Sequence, residues 1–394
     1  MTGIKRALVI GGGIAGPVTA LALRKAGIET TVYEAHPSAA DGLGAMLTVA
    51  PNGLDALRIV GADQAVAAVS HPVPGVVMAD GAGNVLTEFA GFPELPATRA
   101  MARADLFRAL AGHAVAEGVR IEYGRRLVAA TDTGDEVTAH FADGGTATGD
   151  VLIGADGIRS TVRSLIDPGA PGPAYGGVLS FGGPAVGSDV QTRPGMMHFA
   201  FGKAFLGYWT TPDGRVIWFG SLPRQEPMSA AEVREVPAAD WLARLRELYA
   251  GHVPGQALLE HTDPGEMYVV GPMEYMPDVP HWHRGRMVLV GDSAHAPSST
   301  SGQGASITAE SAIELARCLR DLPDVTSAFT AYEGLRRPRV AAITGDAAAK
   351  NKAKAGRTEI EPGQSAGRPA FPTPEQMFAP VHRHHIDWDQ TVVP

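Results

Sequence analysis

The chain has 394 residues, 45% of them apolar and 19% charged, which is enough apolar material for a large core and length enough for two or three domains. A net charge of −9 argues against nucleic acid as the main partner, because phosphate binding needs a clustered basic surface. Cys318 is the single cysteine, which excludes an intrachain disulfide and a cysteine metal cluster and makes a reducing, cytoplasmic setting the expectation.

The uncharged run from Ala7 to Leu23 follows Lys5 and Arg6 and superficially resembles a leader or an anchor. Gly11, Gly12, Gly13, Gly16 and Pro17 interrupt it, and it is shorter than a span of roughly 20 residues, so neither a secretory nor a membrane role is expected. Residues 6 to 34 instead read as a βαβ unit: the β run Ala7 to Ile10, a glycine turn, an Ala/Leu-rich helix ending near Gly27, and a second β run, Thr30 to Tyr33. Gly11, Gly13 and Gly16 fall in G-x-G-x-x-G spacing between strand and helix, with Ile14 and Ala15 opening the helix. There, missing side chains allow a tight turn and close approach of a pyrophosphate to the helix N-terminus. Glu34 closes the second strand, where a carboxylate can accept both hydroxyls of a ribose. This motif alone does not separate FAD from NAD.

Further along, a helix is predicted over Arg103 to Glu117, with strands around Arg120 to Tyr123 and Val137 to Phe141 and a hairpin turn at Asp143 and Gly144. The buried strand Asp150 to Ile153 feeds a second motif, Gly154, Ala155, Asp156, Gly157, Ile158, Arg159, Ser160; an Asp-Gly after a strand is more often simply a turn. Between Gly176 and Leu222 the pattern changes to aromatic-rich β runs, Val178 to Phe181, Met196 to Phe201, Phe205 to Thr210 and Val216 to Phe219, suggesting a mixed or antiparallel sheet in a separate domain. After a helix near Trp241 to Tyr249, the strand Arg286 to Val290 runs into Gly291, Asp292, Ser293, Ala294, His295 and then Ser301, Gly302, Gln303, Gly304. Asp292 stands at a strand's carboxyl end, where ligands meet open α/β sheets, and Gly302 and Gly304 leave backbone N–H groups bare at a helix start, suited to a developing anion. His295 is expected to be a hydrogen-bonded structural histidine rather than an acid or base. Helices follow over about Ala305 to Arg320 and Val325 to Lys354, the second kinked at Pro338, and residues 356 to 394 read as a tail with one short helix near Glu375.

The three motifs, in this order and spacing, together with Arg103 in Met101, Ala102, Arg103, Ala104, Asp105, Leu106 and with Tyr332, Glu333 and Arg336 downstream, resemble the group A flavoprotein monooxygenases, the family of para-hydroxybenzoate hydroxylase, salicylate hydroxylase and the tetracycline-inactivating monooxygenases. The resemblance implies an α/β fold in which a Rossmann-type FAD-binding domain carries an inserted mixed β-sheet substrate domain and C-terminal helices. Domain limits follow: 1–70, 100–170 and 285–345 for FAD binding, 71–99 and 171–284 for the substrate, and 346–394 as helix end and tail. It implies that Arg103 contacts the flavin, that Asp156 serves flavin and nicotinamide, and that Asp292 holds the ribityl chain. NADPH or NADH would act as a transient co-substrate and O2 as the second substrate, with a flavin hydroperoxide delivering one oxygen atom to an aromatic or polycyclic molecule by hydroxylation, epoxidation or Baeyer-Villiger insertion. No side chain need act as a nucleophile, since the cofactor carries the hard chemistry.

Two departures stand out: the proline usual near Ser299 is absent, Pro297 being nearest, and Ser311 replaces an acid often found there. Ser180, His198, Phe201 and Trp218 are the candidates for the substrate wall, although alternate residues of a strand also serve a core. A flavin oxidase or dehydrogenase on the same fold, or a flavin-bound sensor, are the competing readings. A halogenase would need a Trp-x-Trp-x-Ile-Pro element, which no tryptophan here provides. His382, His384 and His385 near Asp387 lack the spacing of a metal site, and packing of Trp388 on the domain interface is the plainer expectation for this stretch.

Overall fold

The structure is a computed structural model that describes residues 3–38, 46–298, 301–355 and 373–393. Its frame is a six-stranded sheet whose order across the sheet is His283–Arg284, Met287–Leu289, Val151–Gly154, Arg6–Ile10, Glu29–Tyr33 and Arg120–Glu122. All neighbours run parallel except the first pair. Leu8, Val9, Leu152, Ile153, Val288 and Leu289 are almost fully buried, as expected of a parallel sheet covered on both faces, which reads in sequence as unbroken aliphatic runs. Ile10 pairs with Gly154, and Gly154 with Leu289, so the three motif-bearing turns leave this sheet side by side at one edge.

Helix Ala15–Lys25 packs between the sheet and helix Gly304–Asp321, which also contacts helices Pro51–Ile59 and Val325–Ala355. Every residue from Ser306 to Leu319 is buried, polar ones included. The helix Val325–Ala355 is continuous through Pro338.

A second sheet of seven strands has the order Tyr268–Tyr275, Ala174–Ala185, Val216–Pro223, Phe205–Thr210, Met197–Phe201, Val76–Asp80 and Val85–Phe89. It is antiparallel except where Met197–Phe201 joins Val76–Asp80. Alternation of buried and half-buried residues over 198–201 and 216–221 shows two different faces. One packs on helices Ala238–Leu248 and Val253–Glu260 through Leu179, Phe181, Trp218, Trp241 and Leu258. The other faces back toward the motif-bearing edge of the first sheet. Two three-stranded sheets complete the fold; one of them, formed by Met46–Val49, Thr98–Ala102 and His71–Val73, bridges the two large sheets.

Candidate functional site

The first turn owes its shape to contacts the chain makes with itself. Gly11 has φ 106°, and a Cβ there would lie 2.4 Å from the Ala155 carbonyl oxygen; a Cβ on Gly16 would lie 1.9 Å from that of Gly11. Gly13 differs, because its Cβ would meet only the Phe107 ring, at 3.9 Å. The fold therefore requires glycine at positions 11 and 16, whereas at 13 the space is left for something else. Ile14 caps helix Ala15–Lys25 without a side-chain hydrogen bond, and the first turn holds no acid, so its N–H groups face the cavity that Gly13, Ile14 and Ala15 line. Glu34 is fixed beside this turn, accepting from the Gly12 N–H at 2.6 Å and the His36 N–H at 2.8 Å.

The third turn approaches from the neighbouring strand. Ser293 Oγ donates to the Gly154 carbonyl at 2.6 Å, and the buried Arg163 donates to the Ser293 carbonyl at 3.0 Å and the Ile158 carbonyl at 2.8 Å, so second and third motifs are clasped together. Asp292 opens into the cavity, where desolvation raises its pKa against the opposing charge of Arg103. Among the described residues its carboxylate has no hydrogen-bond donor. Arg103, at the start of helix Arg103–Ala116, lies over the Phe107 ring at 5.2 Å. Gly302 (φ 61°) and Gly304 line the same cavity, and Gln303 caps helix Gly304–Asp321 without a side-chain bond, giving a second bare helix N-terminus on one space. Pro297 packs near Gly304, while Ser299 lies outside the described residues.

Asp156 turns away from the cavity. Its oxygens accept from Ser160 Oγ and from the Thr161 and Val162 N–H groups at 2.7 and 3.1 Å, so it caps the helix Thr161–Ile166; burial raises its pKa and those bonds oppose the rise. Only Ala155 and Gly157 of its loop reach the cavity wall. His295 is structural, as expected: Nε2 meets Ser311 Oγ at 2.9 Å, and burial beside Arg336 lowers its pKa to about 3, leaving it neutral.

The residue Ser311 that departs from the family pattern also accepts from Arg336 Nε at 3.1 Å. Next to it stands an acid that the sequence did not single out. Glu310 is wholly buried and pairs with Arg336 (2.8 Å) and, through both oxygens, with Arg339 (2.7 Å each), and these cations hold its pKa down at about 2 despite burial. Asn52 donates to Glu310 at 2.7 Å and to Gln303 at 3.2 Å, tying the ion cluster to the Gly302–Gly304 turn.

All these turns open into one cavity of about 1440 Å³, larger than the roughly 300–1,000 Å³ of a pocket for a single small ligand. Its opposite wall is the half-buried face of the seven-stranded sheet, with Phe199, Phe201, Phe205, Phe219, Ser180 and Ser221. Phe219 lies across Gly207, whose Cβ would sit 2.2 Å from the ring. Ser180 and Phe201 are thus on the cavity side. Trp218 borders the cavity as well, although its side chain is fully buried in the core beneath and its indole donates to Thr262 Oγ1 at 2.9 Å; His198 is not among the lining residues, its ring stacking on Tyr208 at 4.9 Å and accepting from the Arg193 N–H at 2.9 Å. Both faces of this sheet are apolar, so composition did not reveal which parity faces the cavity. The three neighbouring histidines of the C-terminal stretch diverge. His382 lines the cavity, His384 faces Glu310 at 3.9 Å and His385 bonds Asp55 at 2.7 Å; no metal-binding cluster is present among the described residues. Trp388 sits under Lys25 and Arg320, against the first core. No helix among the described residues is long and apolar enough to cross a membrane.

The family described as FAD binding domain matches residues 5–235. An FAD-dependent urate hydroxylase of Klebsiella pneumoniae is 30% identical over 349 residues, 85% of this chain and 86% of the relative. A 6-hydroxynicotinate 3-monooxygenase of Pseudomonas fluorescens is 31% identical over 354 residues, 86% of this chain and 89% of the relative. Among solved structures, a variant of Klebsiella pneumoniae HpxO complexed with FAD superposes with a TM-score of 0.77 at 25% identity, covering 89% of this chain and 91% of the other.

Proposed function

The chain belongs to the FAD-binding domain family and is an FAD-dependent monooxygenase, and we propose that its substrate is an uncharged, largely apolar aromatic or polycyclic molecule held on the phenylalanine face of the seven-stranded sheet. The observation that carries this reading is the shared cavity: two bare helix N-termini and an open glycine on one wall, an aromatic sheet on the other.

The residues present fit the cofactor. The space at Gly13 and the uncapped helix Ala15–Lys25 suit a pyrophosphate, and Glu34 beside them suits ribose hydroxyls. Asp292, desolvated and without a donor, is the acceptor for a polyol hydroxyl, and Arg103 opposite it is a cation for the ring system. The N–H groups of Gly302 and Gly304 at this helix start would favour negative charge on a ring bound there, while the Gln303 N–H is taken by Ser301 Oγ at 3.1 Å. Asp156 acts through the loop it caps. FAD, when bound there, would supply the redox chemistry that couples NADPH or NADH to dioxygen. The chain's own contribution is to bind, orient and keep water out, the last through the phenylalanines and the C-terminal helix Pro374–His382. Residues 1–70, 100–170 and 285–345 would form the cofactor domain, 71–99 and 171–284 the substrate domain, and 346–394 the C-terminal helix end and tail. The buried Cys318 thiol, pushed up to about 12 by burial, suits a reducing cytoplasm but takes no part.

Two variants separate the walls. Asp292→Asn is expected to weaken FAD binding by roughly 10- to 100-fold, the ~1.5–3 kcal/mol of a hydrogen bond to a charged group, read by titrating apoprotein with FAD. Gly207→Ala pushes the Phe219 ring off its seat and is expected to keep full flavin content while changing which aromatic compounds stimulate NAD(P)H oxidation. The proposal itself is tested by incubating holoenzyme with NAD(P)H, ¹⁸O₂ and a panel of uncharged and carboxylated arenes. It predicts products carrying one labelled oxygen from uncharged rings; turnover confined to carboxylated ones would overturn it.

A further inference from the structure

The helix Pro374–His382 lies in a stretch that reads as tail, yet it places Met377, Phe378, Val381 and His382 in the cavity wall. Phe378 stacks on Phe89 with ring centroids 5.0 Å apart and 7° between planes. The His382 ring lies 5.3 Å from Phe378 and edge-on to Phe92 at 6.4 Å, so aromatic surfaces hold it on two sides. The end of the helix is gripped from behind. Arg339, doubly bonded to the buried Glu310, donates to the Pro380 and Val381 carbonyls at 3.3 and 3.2 Å. Arg383 covers Phe92 at 4.3 Å and bonds Glu94 at 3.0 Å.

His384 and His385 each face a carboxylate, whereas His382 has no hydrogen-bond partner among the described residues and presents its imidazole to the cavity. A half-buried imidazole with aromatic neighbours and neither nitrogen bonded among the described residues is suited to hydrogen-bond a molecule in the cavity.

We propose that His382 is a specificity-determining residue that hydrogen-bonds a hydroxyl or ring N–H of the substrate, selecting neutral hydroxylated or N–H-bearing aromatic rings over bare hydrocarbons and over carboxylates. This rests on the reading that the cavity takes an aromatic substrate, and deepens it. Burial lowers the imidazole pKa to about 4, so at neutral pH it offers one acceptor nitrogen and one N–H but no charge for a carboxylate. The cations on the wall lie elsewhere: Arg103 beside Asp292, and Lys203 in the exposed turn between Phe201 and Phe205.

The test uses FAD-loaded wild type, His382→Leu and His382→Gln, with 2-naphthol, naphthalene and 2-naphthoate as probes, reading affinity from perturbation of the flavin spectrum. Wild type is expected to bind 2-naphthol about tenfold more tightly than either of the others, the effect of one buried neutral hydrogen bond. His382→Leu should erase that preference with flavin content unchanged, and His382→Gln, which keeps a donor and an acceptor, should retain part of it. An unchanged preference in His382→Leu, or wild type binding 2-naphthoate as well as 2-naphthol, would overturn the assignment. Should none of the probes perturb the flavin or raise NAD(P)H oxidation in any of the three proteins, the broader reading of an aromatic-substrate cavity falls with it.

Discussion

Gly16→Ala is expected to yield protein without flavin and with a core loosened around the first turn, whereas Gly13→Ala is expected to fold normally and still bind FAD roughly 10- to 100-fold more weakly, a loss of about 1.4–2.8 kcal/mol. The difference lies in what each added methyl would meet. At position 16 it would stand 1.9 Å from the Gly11 carbonyl oxygen, and both partners are backbone that the parallel pairing of Arg6–Ile10 holds in place. Relieving such a clash costs about 1–3 kcal/mol or more, and here it moves the turn itself. At position 13 the methyl would meet only the edge of Phe107, at 3.9 Å, so protein packing gives no reason for glycine there. A bound pyrophosphate does. Thermal melts of the apoproteins and FAD titrations measure the two effects separately; Gly13→Ala with wild-type affinity would show that no ligand approaches that turn.

The largest stability effect is expected at Glu310. Glu310→Ala leaves Arg336, 1% exposed, without its ion-pair partner, with Glu314 as the acid still nearby, and releases one face of Arg339; breaking a buried pair from one side costs about 3–5 kcal/mol. The damage should also reach function, because Asn52 loses one anchor and loosens its hold on Gln303, and the Arg339 grip on the Pro374–His382 helix slackens. The same group sets an acid limit. Its pKa is depressed to about 2 in the fold, so its contribution is fully present above the ordinary carboxylate value of about 4.5 and is lost as pH falls from there through about 2. Denaturant melts between pH 6 and 2.5 should therefore show wild type losing stability toward acid, and Glu310→Ala, already lacking the pair, losing less over the same window.

How much of this was legible in the sequence depended on whether a residue's duty is local. Gly11, Gly16 and Glu34 answer to a turn and the strand beside it, and their spacing alone placed them. Asp292, Gly302 and Gly304 were legible for the same reason, each following directly from a strand end or preceding a helix start. Asp156, which the resemblance places at the cofactor, has the local duty that the turn reading describes: it caps the short helix after it. Of the four residues expected on the substrate wall, His198 alone packs away from the cavity, because strand parity is informative only when one face is polar, and here a helical layer makes the second face apolar as well. The ion cluster was missed at Glu310 because a buried acid and an exposed one look alike in a helix until its neighbours are known. His382 was invisible as a cavity residue, since only tertiary docking brings residue 382 to Phe89 and Phe92.

The most direct test of the account is to mix the purified holoprotein anaerobically with NADPH or NADH and follow the flavin absorbance, then admit oxygen together with an uncharged hydroxyarene. A yellow protein is expected whose absorbance bleaches on reduction and returns with oxygen as oxygenated product forms in proportion to nicotinamide consumed. A colourless protein that cannot be reconstituted with FAD, or a flavin whose reoxidation yields only hydrogen peroxide with every arene tried, would contradict it.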